Sequence, residues 1–190
     1  MDKMKIIVLL SLPTVLISCI TTYRNFPVTM VGKPPESKPY STLYYTIKKF
    51  PVLDAGGHRA LRSVFRSKSN FSETVKVAEM PPKGIYCVVD VQYTPPGLPA
   101  LIFGYVSVGT LTFVPAWSLH DGYVVAYHVF MDGEKKRTFE YEITRKVGLW
   151  AFLLPLAWVN VMTYSEAEAF EATAYQFFED AKPIFQGPRL

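Results

Sequence analysis

The chain has 190 residues, of which 49% are hydrophobic, 15% aromatic and 19% charged; 20 Lys and Arg against 16 Asp and Glu give a net charge of +4. That excess is too mild for the dense basic face of a nucleic-acid binder. A chain of this length suits one domain with a single core, and its apolar fraction is high for such a domain.

Residues 1–18 read in three parts. Lys3 and Lys5 give a short basic start, Ile6 to Ile17 form an apolar core broken only by Ser11, Pro13 and Thr14, and Ser18 is a small residue at the end. This is the layout of a secretory signal, and it is too short for an ordinary membrane span. The run Leu16-Ile17-Ser18-Cys19 that closes it resembles the lipobox of bacterial lipoproteins. The resemblance covers this N-terminal segment and does not extend to the body of the chain. It implies that residues 1–18 are removed, that the Cys19 thiol carries diacylglycerol, and that the new amine is acylated. Each buried methylene contributes about 0.8 kcal/mol, so two or three chains anchor firmly. Ile20 follows the cysteine where an Asp tends to retain enteric lipoproteins at the inner membrane. The implied location is therefore the bacterial cell envelope, at the outer membrane facing the periplasm.

With Cys19 used as a thioether, Cys87 has no disulfide partner. Its setting, Ile85-Tyr86-Cys87-Val88-Val89, reads as that of a small buried hydrophobe. Residues 19–42 read as a lipidated N-terminus and a tether, because Pro27, Pro34, Pro35 and Pro39 favour extended chain without periodic structure.

Residues 43–182 read as the folded domain. Leu43 to Val52 alternates as a strand, with Leu43, Tyr45 and Ile47 on one face. Asp54 to Gly57 turns the chain, and His58 to Ser67 suits a short helix with Leu61, Val64 and Phe65 inward. A strand follows near Thr74 to Glu79. Ile85 to Tyr93 alternates clearly, setting Cys87, Val89 and Val91 against Asp90 and Gln92. Gly122 to Met131 and Lys135 to Thr144 flank Asp132-Gly133, a strong hairpin signal. Ser165 to Glu168 has the pattern of a capping box. Ala167, Phe170, Ala174, Phe177 and Ala181 then make an apolar stripe, and Pro183 closes the helix. Residues 183–190 form a C-terminal tail.

Two stretches stand apart. No Asp, Glu, Lys or Arg occurs from Val91 to Leu119 or from Val147 to Ser165. Residues 97–118 and 147–163 read as two inserted apolar helical segments. Gly97, Ala100, Gly104 and Ser107 form a small-residue stripe that a second helix could approach closely. Trp117, Trp150 and Trp158 suit a membrane interface, with Arg145 and Lys146 at headgroup level. A full double span would strand the 119–146 hairpin alone across the bilayer, where two strands are marginal in water. The preferred arrangement pairs the two segments and lets them dip into the bilayer or lie on it.

The chemistry of the remaining residues is sparse. His58, His120 and His128 have no metal-ligand spacing, and no cofactor motif is present. His120-Asp121 reads as a polar turn. Asp54, Gly56, Gly57 and His58, at a strand-to-helix turn, form a weak anion-site candidate. Arg59, Arg62 and Arg66 make a basic helix face, solvated or turned to anionic headgroups. The fold class expected is α+β: a four- to five-stranded, mostly antiparallel sheet with a short helix, a C-terminal helix and the two apolar segments. The function expected is that of a non-enzymatic envelope lipoprotein with a structural or interaction role. Its partners would be membrane lipid and an envelope protein or a second copy of itself, with no nucleic acid. The alternatives are a carrier of a lipid or apolar ligand, and an envelope hydrolase built on the Asp54 to His58 turn.

Overall fold

A computed structural model describes residues 19–35, 40–51 and 56–186. The signal segment 1–18 and Asp54 of the anion-site candidate lie outside the described residues. The fold is α+β. Strands β1 (Cys19–Arg24), β2 (Tyr40–Ile47), β3 (Phe71–Lys76), β4 (Ile85–Thr94), β5 (Ala116–Met131) and β6 (Glu134–Leu149) form one sheet in the order β1-β6-β5-β4-β2-β3. The helices are α1 (Gly57–Ser67), α2 (Leu98–Gly109), α3 (Glu166–Asp180) and the short α4 (Lys182–Phe185), with 3-10 segments at Val28–Met30 and Ala151–Met162.

Two features of the sheet correct the sequence reading. It has six strands rather than four or five, and it is mixed: β2 pairs in parallel with both β3 and β4. For the β2–β3 pair the reason is the helix between them. A helical crossover returns the chain to the end from which it started, so the next strand runs in the same direction. The added strand is β1, where a tether was expected to begin. It lies antiparallel to the end of β6, with Cys19 opposite Leu149 and Arg24 opposite Thr144.

The hairpin between β5 and β6 is as the sequence implies. Asp132 and Gly133 both have positive φ, 51° and 83°, which a two-residue turn matching strand twist requires. The Asp132 amide donates to the Gly84 carbonyl and the Gly84 amide to Asp132 Oδ1, so the end of β5 meets the start of β4.

The chain divides into two compact units, with β5 and β6 contributing to both. One, the core unit, comprises Asn25–Tyr93, Tyr123–Ile143 and Glu166–Leu190. Leu43 of β2, Leu61, Val64 and Phe65 of α1, Val89 of β4, Val125 and Tyr127 of β5, and Phe170, Phe177 and Phe178 of α3 are fully buried here. Tyr127 and Phe177 stack at 4.4 Å with their planes 6° apart, while the Tyr127 hydroxyl shares a 2.9 Å hydrogen bond with Thr173 Oγ1. Helix α3 is buried over most of its circumference, more than the single stripe read from the sequence. Pro183 does not end it. The helix stops at Asp180, and Pro183 sits in the first turn of α4, where its missing N–H has no cost. Phe185 of the expected tail is buried, 5.0 Å from the Phe71 ring.

The second unit comprises the residues up to Arg24, Thr94–Gly122 and Thr144–Ser165. It contains almost all of both charge-free stretches. Each apolar segment is less helical than expected. Helix α2 ends at Gly109, where Leu111 and Thr112 take positive φ of 51° and 67° and turn the chain. Pro115 then leads into β5. The second segment stays in strand to Leu149 and becomes 3-10 over Ala151–Met162, with Pro155 inside it. Proline removes an amide donor and clashes with the preceding turn, so a regular α-helix is not sustained there. Among the described residues, no helix is long and apolar enough to cross a membrane.

Candidate membrane-contact site

Helix α2 is apolar on every side, yet Ser107 is its single buried residue. Tyr105 is 78% exposed, Val161 of the 3-10 segment 88%, and Trp158 59%. All the exposed large apolar side chains of the described residues fall between Leu98 and Met162, except Val28 and Met80. Helices apolar all round belong in a core or in lipid, and contiguous exposed patches of this kind mark interaction or membrane surfaces.

Hydrogen bonds fix the elements that carry this surface. The Trp150 indole N–H donates to the Phe113 carbonyl at 3.2 Å, and the Ala151 amide to the Thr112 carbonyl at 2.8 Å. The loop after α2 is thereby tied to the start of the 3-10 segment. At the other end, Asn160 grips β1 twice. Its Oδ1 accepts from the Thr21 amide at 2.9 Å and its Nδ2 donates to the Cys19 carbonyl at 2.7 Å. Thr163 Oγ1 adds a bond to the Thr21 carbonyl at 3.1 Å. Cys19, half-buried with its Sγ 3.4 Å from Thr21 Oγ1, is therefore held directly against the apolar 3-10 segment. The sequence reading makes Cys19 the head of an extended tether, whereas here it is the first residue of β1.

An ionic cluster lies in this unit. The Asp121 side chain is fully buried; it accepts from Ser118 Oγ at 2.5 Å and from Arg145 Nε at 2.6 Å, with Arg145 also pairing through a second nitrogen. His120 and Asp121 were expected in a turn, but they lie inside β5. The paired strand β6 supplies the cation that makes a buried carboxylate tolerable.

The residues singled out from the sequence separate into groups. Gly97, Ala100 and Trp117 come together with Phe103 and His120 around an open groove of about 300 Å³. Phe103 and Trp117 stack there at 6.0 Å. A Cβ at Gly104 would meet nothing within 4 Å, whereas Ser107 is buried with no partner for its hydroxyl, so the stripe is not one packed surface. Trp150 immediately precedes the 3-10 segment, and Trp158 lies within it.

The anion-site candidate has an internal occupant. Gly57 donates its amide at 3.1 Å to Oε1 of Glu166, and Tyr123 donates its hydroxyl to Oε2 at 3.1 Å. Glu166 is 3% exposed. A Cβ on Gly57 would stand 2.5 Å from Phe170 Cδ2, so the glycine serves close packing of α1 on α3. Gly56 has φ of 126°, and the His58 ring lies 5.4 Å from Phe50. Helix N-termini favour a carboxylate, and here the chain provides its own. Cys87 is fully buried, as expected, and burial pushes its thiol pKa up, away from nucleophilic use. No group of His, Cys, Asp and Glu among the described residues is arranged to hold a metal ion.

Sequence reasoning missed Asn160, the bonds of Glu166 to Gly57 and Tyr123, and the Asp121–Arg145 pair. Asn160 and Asp121 were lone polar residues beside or within apolar runs, which is the signal that was available.

No family model matches the chain, and no curated protein matches it. Among solved structures, a PelC dodecamer from Paraburkholderia phytofirmans aligns at 8% identity over 83% of this chain and 95% of its own, with a TM-score of 0.28. A likeness that slight carries no argument.

Proposed function

We propose that this protein is a non-enzymatic lipoprotein of the bacterial cell envelope, anchored through Cys19 and seated on the bilayer by its apolar unit, where it has a structural or interaction role. The observation that carries this reading is the grip of Asn160 on the Cys19 carbonyl. Acyl chains attached at Cys19 must enter the bilayer. Whatever is fixed beside Cys19 is then brought to the membrane surface, and what is fixed there is the exposed apolar segment. Lipid burial of that segment adds to the anchor at about 25 cal/mol per Å² of apolar surface. An apolar unit tied to its own lipid attachment point has bilayer lipid as its simplest occupant, ahead of a second copy or an envelope partner.

The test is mass spectrometry of the mature N-terminal peptide together with membrane fractionation. A mature N-terminus at Cys19 carrying diacylglycerol, with loss of lipid and of stable anchoring in Cys19→Ser, is expected. A mature chain that keeps residues 1–18, or starts elsewhere without lipid, refutes the reading.

A further inference from the structure

Helix α1 carries Arg59, Arg62 and Arg66 at spacings of three and four, so the three guanidinium groups follow one face of the helix. Together with Lys76 and Thr74 of edge strand β3, they line an open groove of about 600 Å³ within the core unit. Tyr45, 6% exposed, is also among its lining residues. No carboxylate is among the lining residues. Lys48, Lys68, Lys136, Lys182 and Arg145 each pair with an acid, while among the described residues other cations such as Lys83 and Lys135 do not. Among the described residues, none of the four groove cations does.

This arrangement works against the isolated fold. Like charges three and four apart on a helix repel, and Arg59, in the first turn, faces the positive end of the helix dipole. A bound anion removes both penalties. The four positive charges match two phosphate groups, each carrying about −1.5 to −2 at neutral pH. Arg59 and Arg66 are two turns apart, about 10 Å along the axis, which suits two separated phosphates rather than one. Arginine forks grip phosphate oxygens in pairs, and the groove volume is in the range of small-ligand sites. We propose that this groove binds a ligand bearing two phosphate groups, either a free phosphorylated sugar or the headgroup of a bisphosphorylated lipid. The inference is independent of the apolar unit and of Cys19.

The test uses the purified full-length protein carrying Cys19→Ser, so that no acyl anchor at that position carries it onto every vesicle, at physiological salt with two probe sets. Calorimetry compares glucose 1,6-bisphosphate with glucose 6-phosphate. Vesicle flotation compares phosphatidylcholine vesicles doped with diphosphoryl or with monophosphoryl lipid A. The bisphosphate member of at least one set should be preferred, by about tenfold or more if a second set of charge-assisted hydrogen bonds forms. Preference in the sugar set identifies a free ligand, and preference in the vesicle set alone identifies a headgroup. Arg62→Gln should reduce that preference about tenfold while Lys83→Gln, outside the groove, leaves it unchanged; matched melting temperatures show that both variants are folded. No preference in either set, a preference untouched by Arg62→Gln, or equal loss in Lys83→Gln overturns the proposal.

Discussion

Glu166 and Gly57 tie the N-termini of α1 and α3 together, and each is constrained by the other. The carboxylate accepts from the Gly57 amide and the Tyr123 hydroxyl, and Phe170 closes over the glycine. Glu166→Ala leaves a buried amide and a buried hydroxyl without their acceptor. It should cost about 2–4 kcal/mol, read as a fall in denaturant midpoint. Gly57→Ala should destabilise by about 1–3 kcal/mol through overpacking against Phe170. A stable Gly57→Ala variant would contradict the close packing. His128 gives a pH test at the same scale. Its pKa is held below the ordinary value, first by burial and then by nearby Lys135, while its Nδ1 is hydrogen-bonded to Thr138 Oγ1. A depressed folded-state pKa means that the unfolded chain takes up the proton first as pH falls. The neutral histidine's contribution is full above about pH 6.5 and is lost below it. His128→Gln should therefore lose less stability than the parent between about pH 6.5 and 5, measured by thermal melts across that range.

At the scale of elements, the apolar unit separates surface from support. Tyr105 and Phe152 are exposed, so Tyr105→Asp with Phe152→Glu should abolish bilayer seating while leaving stability within about 0.5 kcal/mol per site. Arg145→Ala does the opposite kind of damage. It leaves the buried Asp121 carboxylate unpaired and should cost about 3–5 kcal/mol, visible as a lowered melting temperature. The sequence made part of this element pattern legible. Charge-free runs mark the apolar unit because ionisable groups are excluded from apolar surroundings, and the boundaries of those runs fall close to those of the unit. The Asp132-Gly133 hairpin and the start of α3 were readable because turn chemistry and helix entry are local. Strand β1 was not, because its six residues acquire meaning only from β6, far along the chain. The parallel pairing of β2 was hidden for the same reason: direction is set by how α1 crosses over, not by alternation within the strand. Asn160 has meaning as a clamp only with Cys19 in a strand rather than at the head of an extended tether.

At the scale of the whole molecule, the proposed lipid attachment point, Cys19, and the exposed apolar surface fall in one unit. All three tryptophans of the chain, Trp117, Trp150 and Trp158, lie in it. Intrinsic tryptophan fluorescence thus reports on the apolar unit alone. The most direct measurement is tryptophan quenching in the full-length protein, purified from its own membranes and reconstituted into vesicles whose acyl chains are brominated. Seating on the bilayer predicts blue-shifted emission with strong quenching that weakens when Tyr105→Asp and Phe152→Glu are introduced. Protein that floats with the vesicles but keeps unquenched emission would contradict it, whether the apolar surface is then covered by a second copy or by another partner.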